Sequence, residues 1–139
     1  KYRFNWNFPI AFSKHDSSKL YTFSNQVHLS TNEGQSWETI SPDLTRNDKS
    51  KLVSSGGPIT QDNTGVEYYS TLFAASESRL ADGEIWVGSD DGLIHLTRNG
   101  GKNWENVTPI QAPKFLMINS IETAYFVSTY RTEETVLFV

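Results

Sequence analysis

The residues of this sequence that could do hydrolytic chemistry are carboxylates, and eight of them fall in segments suited to a ligand: Asp43, Asp48, Asp62, Glu67, Asp90, Asp91, Glu133 and Glu134. Two carboxyls at a defined separation, one acting as acid and one as base or nucleophile, cleave a glycosidic bond. Asp62, Glu67, Asp90 and Asp91 are the weak catalytic candidates, and each has a structural reading beside it. Asp90-Asp91-Gly92 is hairpin-turn chemistry, Asp62-Asn63-Thr64-Gly65 is a loop-ordering Asx turn, and Glu67 is a solvated charge at a strand end. Glu67 also enters a strand beside Tyr68 and Tyr69, where a carboxylate and aromatic rings together hold a sugar. Trp6, Tyr68, Tyr69 and Arg131 are the candidate ligand contacts.

Other chemistry is poorly supplied. The five arginines, Arg3, Arg46, Arg79, Arg98 and Arg131, form no cluster along the chain, so an arginine site for a ligand carboxylate is not expected. His15, His28 and His95 are spread out, and His28 and His95 hold equivalent positions in a repeat, which points to shared packing rather than metal ligation. No EF-hand spacing surrounds Asp62, Asp90 or Asp91; no metal and no cofactor are expected. Asn106-Val107-Thr108 matches a glycosylation acceptor but reads rather as an ordinary strand end.

The 12 basic and 16 acidic residues include no Lys/Arg run longer than a pair, which excludes a phosphate-backbone partner. No apolar run approaches the roughly 20 residues of a membrane-spanning helix, and no basic-then-apolar signal segment opens the chain; any export signal is expected to have been removed. The absence of cysteine excludes disulfides and thiolate metal sites and leaves the redox compartment open.

The elements that must position these residues follow from an internal repeat. Val27 to Pro42 aligns without a gap on Ile94 to Pro109, 67 residues on, with identity at His, Asn, the second Gly, Trp, Glu and Pro. Within it Ser30, Asn32, Gly34 and Trp37 match Thr97, Asn99, Gly101 and Trp104. A hydroxyl and an Asn side chain accept from backbone N–H groups just ahead, Gly takes the positive φ of a tight hairpin, and Trp packs on the returning strand. The turn is a structural clip.

Strands fit around each copy: Phe4 to Ser13 and Leu20 to Phe23 before the first, Ser70 to Glu77 and Ile85 to Val87 before the second. Helical periodicity is absent. The expectation is an all-β fold of four-stranded antiparallel propeller blades: a blade over 1–42, a long inter-blade loop over 43–66, a second blade over 67–109, and an incomplete third over 110–139. The third unit reads as strands from Phe115 to Ile121, Ala124 to Val127 and Thr135 to Val139. Its first two lack a turn between them, which suggests residues missing near Glu122. Two full blades and part of a third do not close a ring of four to eight, so the remainder is expected from the same or another chain.

With these turns the chain resembles the Asp-box, or bacterial neuraminidase repeat, superfamily. Phe4-Asn5-Trp6-Asn7-Phe8-Pro9-Ile10, Gly57 to Glu67 and Trp86 to Leu93 are most similar to its bacterial secreted glycosyl-hydrolase-like and sortilin-like proteins. Asn32 and Asn99 stand where the family motif prefers Asp; the acceptor geometry is retained, and no enzymatic role follows. The resemblance implies a secreted, periplasmic or cell-surface bacterial protein and glycan handling, with a non-catalytic, sortilin-like binder of proteins or peptides as the alternative. Blade geometry puts the ligand face opposite the Asp-box turns. The Asp43 to Val66 connection, the turns Ser24 to Gln26 and Ser89 to Gly92, the start of the first inner strand and Tyr130 to Glu134 should share it.

Overall fold

The computed structural model describes residues 1–62, 64, 67–127 and 132–138; for 124–127 and 132–138 the description is of the backbone. The described residues are all-β apart from one turn of 3₁₀ helix at Lys49–Lys51. Strands β1 (Ile10–Phe12), β2 (Leu20–Phe23), β3 (Val27–Ser30) and β4 (Glu38–Thr39) form sheet one, and β5 (Leu72–Glu77), β6 (Ile85–Ser89), β7 (Ile94–Thr97) and β8 (Glu105–Asn106) form sheet two. Both sheets are antiparallel and run in chain order. A hairpin of β9 (Ile121–Val127) and β10 (Thr132–Phe138) follows. No helix among the described residues is long and apolar enough to cross a membrane.

The repeat is visible in register. Leu20 faces Ser30 in sheet one, and Ile85 faces Thr97 in sheet two. Period-2 alternation sends Tyr21 and Phe23 to one side, where with Val27 and Leu44 they meet Leu72, Ile85 and Val87. This core joins the two sheets. A second cluster, Ala74, Ile94, Ile118 and Ile121, lies where the chain passes from sheet two to the hairpin. Gly88 makes that passage possible, since a Cβ there would stand 2.4 Å from Ile118 Cγ2 and 2.7 Å from Ile118 Cβ.

The sheets are stitched by main-chain bonds that recur with the repeat. Leu72 N–H donates to the Ser24 carbonyl at 2.7 Å, and Ile118 N–H donates to the Ser89 carbonyl at 3.1 Å. Each unit's chain thus crosses the β2–β3-type turn of the unit before it.

Three strand expectations are corrected. Phe4 to Ser13 is extended strand only at Ile10–Phe12, because Pro9 offers no N–H to a ladder and Asn5 Oδ1 turns back to the Asn7 N–H. The strand expected from Ser70 begins at Leu72, since Ser70 sits at φ +60. Of Phe115 to Ile121 only Ile121 is strand, where β9 opens: Phe115 has φ +63, and Leu116 N–H closes a turn on the Pro113 carbonyl. One strand instead crosses Glu122 and Thr123 unbroken, paired with Leu137 and Val136. No turn is needed there, and the argument for residues missing near Glu122 falls with it.

Candidate functional site

The repeat turns close one end of each sheet, between its third and fourth strands. Ser30 Oγ accepts from Gly34 N–H at 2.8 Å, Asn32 Oδ1 accepts from Ser36 N–H at 2.9 Å, and the Ser30 hydroxyl donates to Asn32 Oδ1. In the second turn Thr97 Oγ1 accepts from Gly101 N–H at 2.9 Å, Asn99 Oδ1 from Asn103 N–H at 2.9 Å, and the Thr97 hydroxyl donates to Asn99 Oδ1. The reach is four residues forward. Both amide oxygens are consumed by backbone, so these asparagines brace the turn.

At the opposite end of the strands, Arg3 gathers three parts of the chain. Its N–H donates to Asn25 Oδ1, its Nε to the Ser70 carbonyl, and its Nη2 to Asp43 Oδ2 at 2.8 Å and Thr45 Oγ1 at 2.9 Å. Burial alone would raise Asp43, but the Thr45 and Arg3 hydrogen bonds outweigh it and hold its carboxyl below the usual range. The clasp lays residues 1–7 beside 67–69, where Tyr68 N–H reaches the Phe4 carbonyl and Lys1 Nζ reaches Tyr68 Oη at 3.2 Å.

Trp6 and Glu67 meet as a result. The Trp6 indole N–H donates to Glu67 Oε1 at 2.6 Å while 64% of the residue stays exposed, so the ring is oriented without being covered. Ser55 Oγ donates to Glu67 Oε2 at 3.1 Å. Asp62 shares a hydrogen bond with Glu67, and this contact, ahead of the Thr64 N–H on Asp62 Oδ1, holds the Asp62 carboxyl below its ordinary value.

Asp90 and Asp91 are not part of this strip. Asp90 is buried and accepts from both the N–H and the hydroxyl of Thr71, at 2.9 Å each. Burial pushes its carboxyl up to about 6, with Asp91 adding to the shift and the Thr71 bonds opposing it. Asp91 is fully buried and accepts from Ser89 Oγ at 2.6 Å and Arg46 N–H at 2.9 Å. Turn chemistry uses both carboxylates.

The remaining expected residues divide in the same way. Asp48 caps the 3₁₀ turn through Ser50 N–H. Tyr69 lies within the field of Asp90 and Asp91, and burial followed by those charges raises its hydroxyl. Arg131 lies outside the described residues, as do Asn63, Gly65 and Val66, and the description of Glu133 and Glu134 is of backbone alone. His28 bridges Ser24 Oγ and Thr39 Oγ1, and desolvation lowers both His28 and His95, keeping them neutral packing groups. Among the described residues no group of three or more His, Asp or Glu is placed to hold a metal ion.

The Arg3 clasp, the Ser55 contact and the Trp6–Glu67 pairing were missed by reading the sequence. Trp6 and Glu67 are 61 residues apart and Arg3 and Asp43 are 40 apart, and no motif connects them. No family model matches the chain, and no curated protein or solved structure matches it either.

Proposed function

We propose that these residues belong to an exported Asp-box β-propeller that handles glycans, with Trp6, Asp62, Glu67 and Tyr68 as a sugar-contacting strip. The observation that carries this reading is the exposed Trp6 ring fixed edge-on by Glu67, with a second carboxyl beside it. An oriented aromatic face takes the apolar side of a sugar ring, and carboxylate oxygens take its hydroxyls. The two braced turns and the two four-stranded sheets support the blade assignment. The strip lies toward the strand ends away from those turns, because Arg3 is pinned to the Asn25 turn.

The reading favours binding over hydrolysis by these residues. Glu67 already accepts from Trp6 Nε1 and Ser55 Oγ, and Asp90 and Asp91 are buried and spent on turn hydrogen bonds. A hydrolase of this kind draws its acid and base from elsewhere. Titration of neutral oligosaccharides against the chain, followed by Trp fluorescence, tests the proposal: Trp6→Ala and Glu67→Gln should each weaken binding at least tenfold. Unchanged affinity in both variants, or binding of peptides and no glycan, refutes it in favour of the sortilin-like alternative.

A further inference from the structure

Two cations converge on one aromatic ring beside the β6–β7 turn, and among the described residues no carboxylate is paired with either. Lys51 Nζ stands 4.7 Å from the Phe115 ring centroid, and the Arg46 guanidinium carbon stands 5.4 Å from it. Neither cation is in a salt bridge among the described residues. The nearby carboxylates are committed elsewhere: Asp48 accepts the N–H and the hydroxyl of Ser50, and Asp91 accepts from Ser89 Oγ and the Arg46 backbone N–H. Like charges gathered around one ring repel, and an anion placed between them is attracted by both.

The patch is held in place by the β6–β7 turn. Arg46 Nε donates to the Asp91 carbonyl at 2.8 Å and Nη2 reaches the Gly92 carbonyl at 3.5 Å, which leaves Nη1 without a partner among the described residues. The 115–116 backbone lies on Gly92, where a Cβ would stand 2.8 Å from the Leu116 oxygen and 3.2 Å from the Phe115 nitrogen. Phe115 is held there at φ +63 with 38% of the residue exposed. A bulky residue keeps that backbone only where its surroundings impose it, and such positions gather at ligand clamps. Lys49 and Lys114 are exposed in the same two segments, in a chain whose formal net charge is −4. Tyr69 joins the patch to the sugar-contacting strip: it follows Tyr68 in the chain, and its hydroxyl lies in the field of Arg46 and Asp48.

We propose that Arg46, Lys51 and Phe115 form a subsite for an acidic sugar, so that the glycan bound along the strip is one that carries carboxylate or sulfate groups. Arg46 Nη1 and Lys51 Nζ donate to the anionic group, and the exposed part of the Phe115 ring lies against the apolar side of the same sugar. No cluster of arginines is required: one guanidinium fixed by main-chain carbonyls and one ammonium are brought to the same ring by the fold. The inference rests on the glycan reading for the class of its ligand.

Calorimetric titration of the protein as its gene encodes it tests the subsite. The probes are oligogalacturonate and its methyl ester, dextran sulfate and dextran, and an oligoglutamate peptide. The parent should bind at least one acidic glycan more tightly than its uncharged counterpart, and rising salt should erode that preference; the acidic glycan preferred identifies the group as carboxylate or sulfate. Lys51→Gln changes an exposed side chain that makes no hydrogen bond among the described residues, and it should lower the preference about fivefold, with Lys51→Arg restoring it. Equal affinity for charged and uncharged glycans, a preference that survives Lys51→Gln, or oligoglutamate bound as tightly as the acidic glycans overturns the proposal. Trp6→Ala keeps the two readings apart. If it weakens every glycan and the parent shows no preference for the acidic ones, the subsite falls and the strip stands. If it leaves a Lys51-dependent affinity for the acidic glycan untouched, the strip falls and the subsite stands.

Discussion

At the scale of single residues the two turns make a matched experiment. Asn32 and Asn99 each accept from a backbone N–H four residues on, so Asn→Ala at either position leaves that donor without its partner. Each substitution should cost about 1 kcal/mol, and Asn→Asp should be tolerated, because a carboxylate offers the same acceptor. Urea unfolding of the four variants is the check; an Ala variant as stable as the parent would show that the clip braces nothing. Asp90 makes a separate claim through pH. Its folded carboxyl titrates at about 6, above the unfolded value of about 3.9. Its stabilising contribution is therefore complete below about pH 4 and is lost as pH rises through 6. The loss is about 2–3 kcal/mol. Asp90→Asn should flatten stability between pH 4 and 7, and Asn25 shows that an amide fits, since it takes the Arg3 N–H as Asp90 takes that of Thr71. Equal pH slopes for parent and variant would contradict the assignment.

At the scale of elements, what the sequence discloses is whatever depends on neighbours a few residues away. β2, β3 and β7 are readable because short polar or Gly-containing turns stand beside them, Ser24 to Gln26 between β2 and β3 and Gly92 before β7, and Leu20–Phe23 begins and ends where its alternation does. β1 and the chain before β9 are not, because tertiary bonds there override an apolar run: Phe4 and Phe8 pack on each other instead of extending a ladder, and Leu116 folds back to Pro113. The candidate site is disclosed in its parts and hidden in its pairing, since Trp6 reaches Glu67 only because Arg3 is tied to Asp43 and Asn25. A glycine carries one element-scale prediction. Ile118 covers Gly88 so closely that Gly88→Ala must move the β-branched Ile118 side chain at its Cβ, which is not a flexible end. Overpacking of this kind costs about 1–3 kcal/mol. Ile118→Ala should recover part of the loss in the double variant, whereas a Gly88→Ala chain as stable as the parent would mean that the segment before β9 does not sit on sheet two.

At the scale of the molecule, sheets one and two share a core and one indole hydrogen bond, and the two tryptophans of the repeat report on whether they unfold together. Trp104→Phe keeps most of the ring packing and removes the donor to the Ile40 carbonyl, so it should cost about 1 kcal/mol. Trp37→Phe removes no hydrogen bond among the described residues and should be close to neutral. Coupling is the sharper test: Ile40→Ala and Trp104→Phe touch the same contact from opposite sheets, so their double-mutant cycle should deviate from additivity by at least about 0.5 kcal/mol. Ile40→Ala with Trp37→Phe should add, because Trp37 meets the other face of sheet one. Far-UV circular dichroism and Trp fluorescence followed through the same urea titration should give coincident transitions. If Ile40 did not couple to Trp104, or the two probes separated, the sheets would be independent units and the Trp104–Ile40 contact would not hold them together.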